Sequence, residues 1–315
     1  MECTHSETKR FGRNRNGSQR LRCLSCGATF TDNTTRPIDR RKLSGDKAAL
    51  ALRMLLEGNS IRSVERLLGI PNKTIIRTMV LAGQAVGRFL PTAIKGVPVD
   101  DVEADEIWSF VGCKERWKKR MGYGEEMGDA WTYVAMERTT KLVLCHHVGK
   151  RDSDNTWQFA WMLDEATSGK FQLTTDGYRP YRSAMSDTFQ GRASFAQLVK
   201  VYSTTPDGVG PESRYSPGQV VDTYKVVIIG RPNKKRVCTS HAERQNLTMR
   251  MTIRRLTRLT NAHSKKWLNH EAAVALYFGY YNFCRVHQTL KTTPAVASGL
   301  TDHVWSLEEL LAKAA

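Results

Sequence analysis

Three carboxylates constrain the fold of this chain more than any other feature. Asp105 stands in an otherwise apolar strand-like segment, Asp176 follows a second such segment, and Glu243 lies at the head of an arginine-rich helical stretch. Asp176 is 71 residues after Asp105, and Glu243 is a further 67 residues along the chain. A charge inside a strand is unfavourable unless a partner compensates for it. If the three acids share one site, only a tertiary fold can bring them together.

Two of these acids could also have purely structural roles. The sequence Ser240-His241-Ala242-Glu243 matches a capping box, in which Glu243 would only bind backbone N–H groups at the helix start. Asp176 precedes Gly177, and aspartate is well suited to the turn that ends a strand. For each residue alone, the structural role stays open beside catalysis. The combination of the three acids therefore has to decide.

The helix predicted over residues 241–260 carries an acid among arginines. At about 100° per residue, its apolar side chains share one arc: Met249, Ile253 and Leu256. Three polar side chains share another arc: Glu243, Arg250 and Arg254. The apolar arc is expected to pack inward. Guanidinium groups suit phosphate oxygens, and a carboxylate among them suits a divalent cation that a phosphodiester also contacts.

The chain is strongly basic. Its 315 residues include 48 Lys and Arg against 31 Asp and Glu, a formal net charge of +17 at pH 7. Such an excess favours a polyanionic partner over a basic surface that only solvent covers. No apolar run approaches the roughly 20 residues of a membrane-spanning helix, and no signal peptide opens the chain. We therefore expect a soluble, cytoplasmic protein with no membrane partner.

Residues 1–44 are basic, lack apolar periodicity and are predicted to need a metal in order to fold. Cys23-Leu24-Ser25-Cys26 is typical of a zinc knuckle, and Cys3 with His5 would supply the opposing ligands. A regular second knuckle would need a cysteine at position 6, where Ser6 stands. The segment is interpreted as a zinc-ribbon-like DNA-binding unit with one structural Zn²⁺, and a degenerate site is the alternative.

Residues 45–95 are predicted to form a helix-turn-helix DNA-binding domain. A helical run over 46–57 precedes two helical stretches within 60–77, which Gly69 separates. Asn72 is the predicted N-cap of the last stretch. Four side chains at its start are then placed for major-groove contacts: Asn72, Lys73, Thr74 and Arg77. An ordinary helical hairpin is the alternative.

Residues 96–300 are predicted to form a mixed α/β domain. Strand-like segments occupy 102–113, 131–136, 142–148 and 171–175, and helical segments occupy 155–166 and 178–185. Residues 190–236 are interpreted as an insertion without an assigned role, which includes a surface loop over 203–222. Residues 301–315 are interpreted as a C-terminal tail. A ribonuclease-H-like sheet would unite the three acids, with one on the first strand, one on the fourth and one on a following helix.

Three segments together resemble the DDE transposases of the insertion-sequence-one family. Residues 105–112 match the family pattern Asp-Glu-x-Trp-x-(Tyr/Phe)-Val-Gly, 175–177 match Thr-Asp-Gly, and 243–250 match Glu-Arg-x-Asn-Leu-x-x-Arg. Residues 281–290 and 293–295 are similar to the closing segment of related transposases and integrases. The family also places a zinc-finger-like segment and a helix-turn-helix before a ribonuclease-H-like catalytic domain, so the resemblance covers nearly the whole chain.

The resemblance implies a two-metal active site. Asp105, Asp176 and Glu243 would hold two Mg²⁺ or Mn²⁺ ions, which activate water or a DNA 3′-hydroxyl for in-line attack on a phosphodiester. The nearby DNA-binding side chains would be Arg244, Arg250, Arg254 and His287. Two element ends must be processed together, so the resemblance also implies a homo-oligomer acting on double-stranded DNA in a bacterial or archaeal cytoplasm.

Five further side chains lie in or near these segments. Glu106 follows the first acid along a strand and should face the opposite side, which argues against a role as a ligand. Trp108 and Trp131 are expected in the core rather than against a base. Asn246 either serves the site or braces the helix start. His287 is either a phosphate contact or an ordinary surface or core histidine.

The predicted function is that of a DNA transposase. It would bind the terminal inverted repeats of an insertion sequence and catalyse metal-dependent strand cleavage and strand transfer. The alternative is a non-catalytic, sequence-specific DNA-binding regulator that retains a relic transposase core. Intact acids in all three segments favour the enzyme.

Overall fold

The computed structural model describes residues 7–14, 19–31, 43–203, 220–258 and 260–315. Near its start is a three-stranded antiparallel sheet of β1 (Thr8–Arg13), β2 (Gln19–Cys23) and β3 (Thr29–Thr31). The predicted knuckle joins β2 to β3: Cys23 is buried, Cys26 is exposed, and the Gly27 N–H donates to the Cys23 carbonyl at 3.1 Å. Cys3 and His5 lie outside the described residues, so the zinc site stays a prediction.

Three helices follow, α1 (Gly45–Leu56), α2 (Ile61–Leu68) and α3 (Asn72–Ala93). Gly69 makes the turn between α2 and α3 with a φ of 62°, a conformation that glycine adopts at little cost. The predicted N-cap is wrong, because Pro71 caps α3 and Asn72 is its first residue. The Asn72 N–H donates to Glu65 Oε1 at 2.9 Å, so a carboxylate from α2 satisfies a donor that a capping side chain would otherwise take.

The large sheet is mixed and has six strands. Its members are β5 (Asp101–Val111), β6 (Gly128–Glu137), β7 (Val143–Gly149), β9 (Phe171–Asp176), β10 (Ala193–Tyr202) and β11 (Val220–Ile229), in the order β11-β10-β9-β5-β6-β7. Strands β5, β9 and β10 are parallel, and β6 and β11 run antiparallel to their neighbours. A small parallel pair joins β4 (Val97–Pro98) to β8 (Thr167–Ser168). This mixed α/β arrangement is consistent with the predicted ribonuclease-H-like core.

The strands carry the acids in the predicted order. Asp105 lies on β5, the first strand of the large sheet along the chain, and Asp176 ends β9, the fourth. Part of the segment interpreted as an insertion belongs to this sheet, because β10 pairs in parallel with β9 and β11 extends it as a hairpin partner. Most side chains of β11 are exposed.

Helices cover both faces of the sheet. On one face, α5 (Ser153–Ala166) and α6 (Pro180–Thr188) place Phe159 and Tyr181 against Tyr133 of β6. On the other face, α7 (Ser240–Thr252) and α8 (Trp267–Phe283) contact β5. Three short helices complete the described chain: α4 (Glu115–Lys118), α9 (Pro294–Ala297) and α10 (Leu307–Lys313). Within the described ranges, no helix is both long and apolar enough to cross a membrane.

The helix that was predicted over residues 241–260 is interrupted. α7 ends at Thr252, Ile253 adopts an extended conformation, and a 3₁₀ turn occupies Arg254–Leu256. Ile253 is buried, and the Thr257 hydroxyl binds the Arg250 carbonyl at 3.1 Å, which satisfies an acceptor that the helix leaves unpaired. The arc that would have joined Glu243, Arg250 and Arg254 on one continuous helix therefore does not form.

The three N-terminal helices pack directly against the sheet domain. Met79 and Val86 of α3 belong to the same apolar cluster as Tyr277 and Phe278 of α8. The closest approach is at Gly83, where an added Cβ would lie 1.9 Å from the carbonyl oxygen of Ala272. Leu310 and Leu311 of α10 are buried in this cluster as well, so the C-terminal segment contributes to the core.

Candidate active site

Strand register brings the first two acids together. In the parallel pair of β5 and β9, Ala104 lies opposite Thr175, so Asp105 and Asp176 occupy the next position of each strand. One carboxylate oxygen from each of Asp105, Glu106 and Asp176 can be chosen such that all three lie within 4.8 Å of one another. This strand-borne acid cluster is the most compact group of metal-ligand side chains among the residues that the structure describes.

Glu106 lies on the opposite face of β5 from Asp105, as expected, but this position does not keep its carboxylate away from the site. Its backbone does alternate with that of Asp105, and Glu106 pairs with Tyr133 on the face that α5 and α6 cover. Nevertheless, β9 ends at Asp176, and a carboxylate oxygen of Glu106 lies within 4.8 Å of one from Asp176. A ligand set that strand alternation excluded is therefore available.

Burial and mutual repulsion perturb all three carboxyl groups. Burial raises the pKa of Asp105 to about 8, and the nearby charges of Glu106 and Asp176 add to the effect. Burial and Asp176 raise the pKa of Glu106 to about 7, although Arg151 opposes the shift. The pKa of Asp176 is raised as well, mainly by burial. The cluster thus disfavours three carboxylate anions side by side unless protons or a cation neutralise them.

The donor set fits a divalent metal ion. Carboxylate oxygens are the ligands that Mg²⁺ and Mn²⁺ prefer. Glu106 Oε1 is buried, and the only polar group that approaches this carboxylate besides Arg151 among the described residues is the Tyr181 hydroxyl, which lowers its pKa. A cation shared by these oxygens would offset the burial that raises the three pKa values and the repulsion that adds to it at Asp105 and Glu106.

Arg151 is a functional candidate that the sequence did not reveal. Its Nη2 lies 3.3 Å from Glu106 Oε2 and 3.7 Å from Asp176 Oδ2. The guanidinium carbon lies 4.0 Å from the centroid of the Tyr178 ring and 4.8 Å from that of Trp131. Trp131 is half-buried, packs against the main apolar cluster as expected, and also supports Arg151. No motif marks Arg151, because its partners lie 45 and 25 residues away along the chain.

Glu243 borders the same cavity from the opposite side. The cavity has a volume of about 710 Å³ and is lined by Asp105, Asp176, Glu243, Arg151 and Lys200, among others. Glu243 Oε1 accepts hydrogen bonds from the Thr239 hydroxyl at 2.6 Å and from the Lys200 ammonium group. Glu243 is exposed and is not a member of the strand-borne acid cluster. The third predicted acid is therefore near the other two but neutralised by its own partner.

The capping box predicted at the start of α7 is replaced by a longer-range arrangement. Thr239, not Ser240, is the N-cap, and its side chain makes no capping bond. Instead, Glu103 Oε2 accepts the N–H groups of His241 at 2.8 Å and Ala242 at 3.2 Å, and Glu103 Oε1 lies 2.7 Å from His241 Nδ1. A buried acid of β5 thus ties down the helix that carries Glu243.

Asn246 connects α7 to the first acid. Its Nδ2 donates to Asp105 Oδ2 at 2.8 Å, and its side chain is buried. With Glu103 and Asp105 both bound to α7, strand β5 fixes the position of the helix in two places. Of the two roles that the sequence left open for Asn246, this contact favours the one in the site.

The predicted DNA-binding side chains lie in different surroundings. Arg244 and Arg254 are exposed, whereas Arg250 donates to the carbonyls of Leu256 at 3.1 Å and Trp108 at 3.4 Å. His287 is not among the residues that line the acidic cavity. It accepts the Thr289 N–H at 3.3 Å, and burial, Lys141 and Arg285 lower its pKa.

The start of α3 faces the segment that follows α7. One cavity is lined by Asn72 together with Arg254 and Lys265, and a second by Lys73 and Arg77 together with Lys265 and Lys266. Lys73 and Arg77 are exposed, and Thr74 is half-buried. Basic side chains of the three-helix unit and of the sheet domain therefore border common grooves.

No protein-family model matches the sequence, and no curated protein matches it. Among solved structures, the chain is similar to the piggyBac transposase in a cryo-EM structure of its synaptic complex with hairpin DNA. The alignment covers 86% of this chain and 70% of that chain, with a TM-score of 0.39 and 10% sequence identity. At this level of similarity, conclusions about activity depend on the site itself.

Proposed function

We propose that this protein is a DDE-type DNA transposase, as the resemblance to the insertion-sequence-one family implies. It would bind the terminal inverted repeats of an insertion sequence and catalyse metal-dependent DNA strand cleavage and strand transfer. One observation carries the proposal: Asp105, Asp176 and Glu243, which come from three distant segments, line one cavity. Neither a capping box nor a strand-end turn requires such a convergence.

In this proposal the acids hold two Mg²⁺ or Mn²⁺ ions. Asp105 and Asp176 bind from the strands, Glu106 assists them, and Glu243 binds from α7. When bound, the metal supplies electrostatic stabilisation of the charge that develops on an attacked phosphodiester. Asn246 orients Asp105 through its hydrogen bond, and Arg151 keeps Glu106 and Asp176 in place through its two ion pairs.

Basic side chains outside the cavity would bind the DNA. We infer that the start of α3 recognises the terminal repeat through Asn72, Lys73, Thr74 and Arg77, as in a helix-turn-helix. The exposed Arg244 and Arg254 would bind phosphates near the acids. Arg250 would act through the carbonyls that it binds, and His287 is the weakest candidate because it lies outside the cavity. A zinc-bound N-terminal segment and a homo-oligomer that joins two element ends complete the proposal.

The test is cleavage and strand transfer on terminal-repeat DNA by Asp105→Asn, Asp176→Asn and Glu243→Gln proteins with Mg²⁺. Each variant is expected to lose activity by more than about a hundredfold, because each lacks a charged metal ligand. Binding of the same DNA, measured by fluorescence anisotropy, serves as the folding control. Wild-type turnover in any variant would remove that residue from the site.

The ion pair between Glu243 and Lys200 favours a second candidate. A regulator that binds DNA without cutting it could keep Glu243 neutralised permanently, since it needs no metal there. Retained binding of terminal-repeat DNA with no cleavage in Mg²⁺ or Mn²⁺ would support this candidate against the transposase.

A further inference from the structure

The loop that follows β5, residues 114–123, presents an aromatic and basic surface. It contains five basic residues and one acidic residue within ten positions. Three large side chains in this loop are exposed: Trp117 by 40%, Met121 by 54% and Tyr123 by 40%. The guanidinium carbons of Arg116 and Arg120 lie 5.3 and 5.5 Å from the centroid of the Trp117 ring. Two guanidinium groups thus lie close to an indole that remains partly open to solvent.

The base of this loop is firmly anchored. The Glu115 N–H donates to Asp129 Oδ1 and the Asp129 N–H donates to Glu115 Oε2, both at 3.0 Å. Lys118 is buried and binds both Glu115 and Glu125 at 2.8 Å. The Tyr123 N–H closes the loop on the Lys118 carbonyl at 3.2 Å. The exposed aromatic side chains therefore stand on a defined structure.

The anchoring leaves the outer charges without acidic partners. Lys118 uses the carboxylates of Glu115 and Glu125, and it is the basic residue that points inward. In the part of the chain that the structure describes, no acidic oxygen lies within 4 Å of the charged groups of Arg116, Lys119 or Arg120. The two guanidinium groups beside the exposed indole, and Lys119 next to Arg120 in the chain, therefore have no acidic partner among the described residues.

We propose that the 114–123 loop binds unpaired DNA, with Trp117 stacked on a base and Arg116 and Arg120 bound to the flanking phosphates. An aromatic face flanked by cations matches a base and its backbone, and stacking needs no particular sequence. A fully paired duplex would offer phosphates but no accessible base face. An amphipathic membrane contact would need a longer helix, whereas α4 has four residues.

The position of the loop fits this partner. It continues β5, the strand that carries Asp105, and the Gly112 N–H at the end of that strand donates to the Ser264 carbonyl at 2.8 Å. Ser264 belongs to the segment that bears the exposed Arg258, Lys265 and Lys266. The loop is therefore at one edge of a basic surface. That the unpaired DNA is a cleaved end rests on the proposed function, but the binding of unpaired DNA by the loop does not.

The test compares a fluorescein-labelled single strand of mixed sequence with the blunt duplex of that sequence. Anisotropy is measured with the full chain in EDTA, so that no cleavage interferes. We expect Trp117→Ala to weaken binding of the single strand by roughly five- to thirtyfold and to leave duplex binding unchanged. Trp117→Phe should restore most of the affinity. Arg116→Gln and Arg120→Gln should each reduce the salt dependence of single-strand binding by about 0.7 in the slope of log K against log salt.

Trp161 offers a matched control. It is 55% exposed on α5, and its neighbour is the Trp157 ring at 6.1 Å rather than an arginine. Trp161→Ala should leave both affinities unchanged. An equal loss with Trp161→Ala, no loss with Trp117→Ala, or an equal loss on the duplex would overturn the inference. Loss of binding to phosphatidylglycerol vesicles with single-strand binding intact would overturn it in favour of a membrane contact.

The two proposals can fail separately. If the wild-type protein shows no metal-dependent cleavage but Trp117→Ala loses single-strand binding, the transposase proposal fails and this one stands. If cleavage depends on Asp105 while Trp117→Ala binds the single strand normally, the outcome is reversed.

Discussion

The two sides of the acidic cavity present carboxylates in opposite electrostatic states. On the strand side, Asp105, Glu106 and Asp176 are crowded together and their pKa values are raised, and of the three only Asp176 has a side chain about as exposed as that of Glu243. On the helix side, Glu243 is exposed and already bound to Lys200 and Thr239. The strand side therefore favours the binding of a proton or a metal ion. On the helix side, a metal ion must displace the Lys200 ammonium group from Glu243. The difference suggests that metal affinity resides mainly in the strands.

The largest expected effect tests that division directly. Asp105→Asn should weaken Mn²⁺ binding by more than about a hundredfold, and Glu243→Gln by no more than about tenfold, since Glu243 exchanges its metal against Lys200. Mn²⁺ titration followed by electron paramagnetic resonance measures both without DNA. Equal losses in the two variants would contradict the division into two sides.

A smaller effect is expected at the connection between the sides. Asn246→Ala removes the hydrogen bond to Asp105 and should lower metal affinity or turnover by about ten- to a hundredfold while DNA binding is retained. Gln245→Ala is the matched control, because this neighbouring buried amide binds the Tyr277 hydroxyl instead, at 3.2 Å. If both variants lower metal affinity alike, Asn246 has only a structural role.

The pH dependence of unfolding tests a buried histidine at the far end of β5, away from the acidic cavity. His270 is buried between the hydroxyls of Ser109 and Ser264, and burial together with Arg255 lowers its pKa to about 3. In the unfolded chain this histidine becomes protonated as the pH falls below its ordinary pKa of 6.5, whereas in the folded protein it stays neutral. Its contribution to the free energy of unfolding is therefore fully present above pH 6.5 and is lost as the pH falls towards 3. Urea unfolding should show that His270 lowers the free energy of unfolding by about 1 kcal/mol between pH 7 and pH 5.5.

His270→Gln should therefore flatten the pH dependence of unfolding without altering Mn²⁺ affinity. Part of the slope should remain, because burial also lowers the pKa of His146 to about 4. An unchanged slope in His270→Gln would show that other groups govern the acid sensitivity.

The smallest effect is expected at Lys200. Lys200→Gln frees Glu243 from its ion pair and should raise Mn²⁺ affinity by about two- to fivefold, the range expected for a partly exposed pair. Lys170→Gln, at an exposed site away from the cavity, is the control. Weaker Mn²⁺ binding by Lys200→Gln would show that the lysine supports the helix side rather than competing for it.

The sequence was informative where a short segment determines the outcome. Apolar runs predicted β5, β6, β7 and β9, and the acids at 105 and 176 were placed on the first and fourth strands of the large sheet. Gly69 predicted the turn between α2 and α3, which the structure contains. Such features depend on neighbours within a few residues, so their pattern is visible in the chain itself.

The remaining features depend on pairs that are distant in sequence. Glu103 replaces the capping box at the start of α7 from 138 residues away, and Lys200 reaches Glu243 across 43 residues. Arg151 joins two acids and two rings that share no segment with it. Strand alternation places Glu106 correctly on the opposite face of β5, but it does not reveal that the Glu106 carboxylate still joins the cluster. No periodicity records these contacts, because each depends on which strands become neighbours.

The contact between Gly83 and Ala272 constrains the distance along the DNA between the sequence that α3 would recognise and the bond that the acids would cut. The backbone of α3 meets α8 there without room for a side-chain carbon, and both helices share one apolar cluster with the sheet. If α3 recognises DNA as proposed, no flexible linker separates it from the acids. The number of base pairs between the recognised sequence and the cut would then be fixed by this contact between α3 and α8.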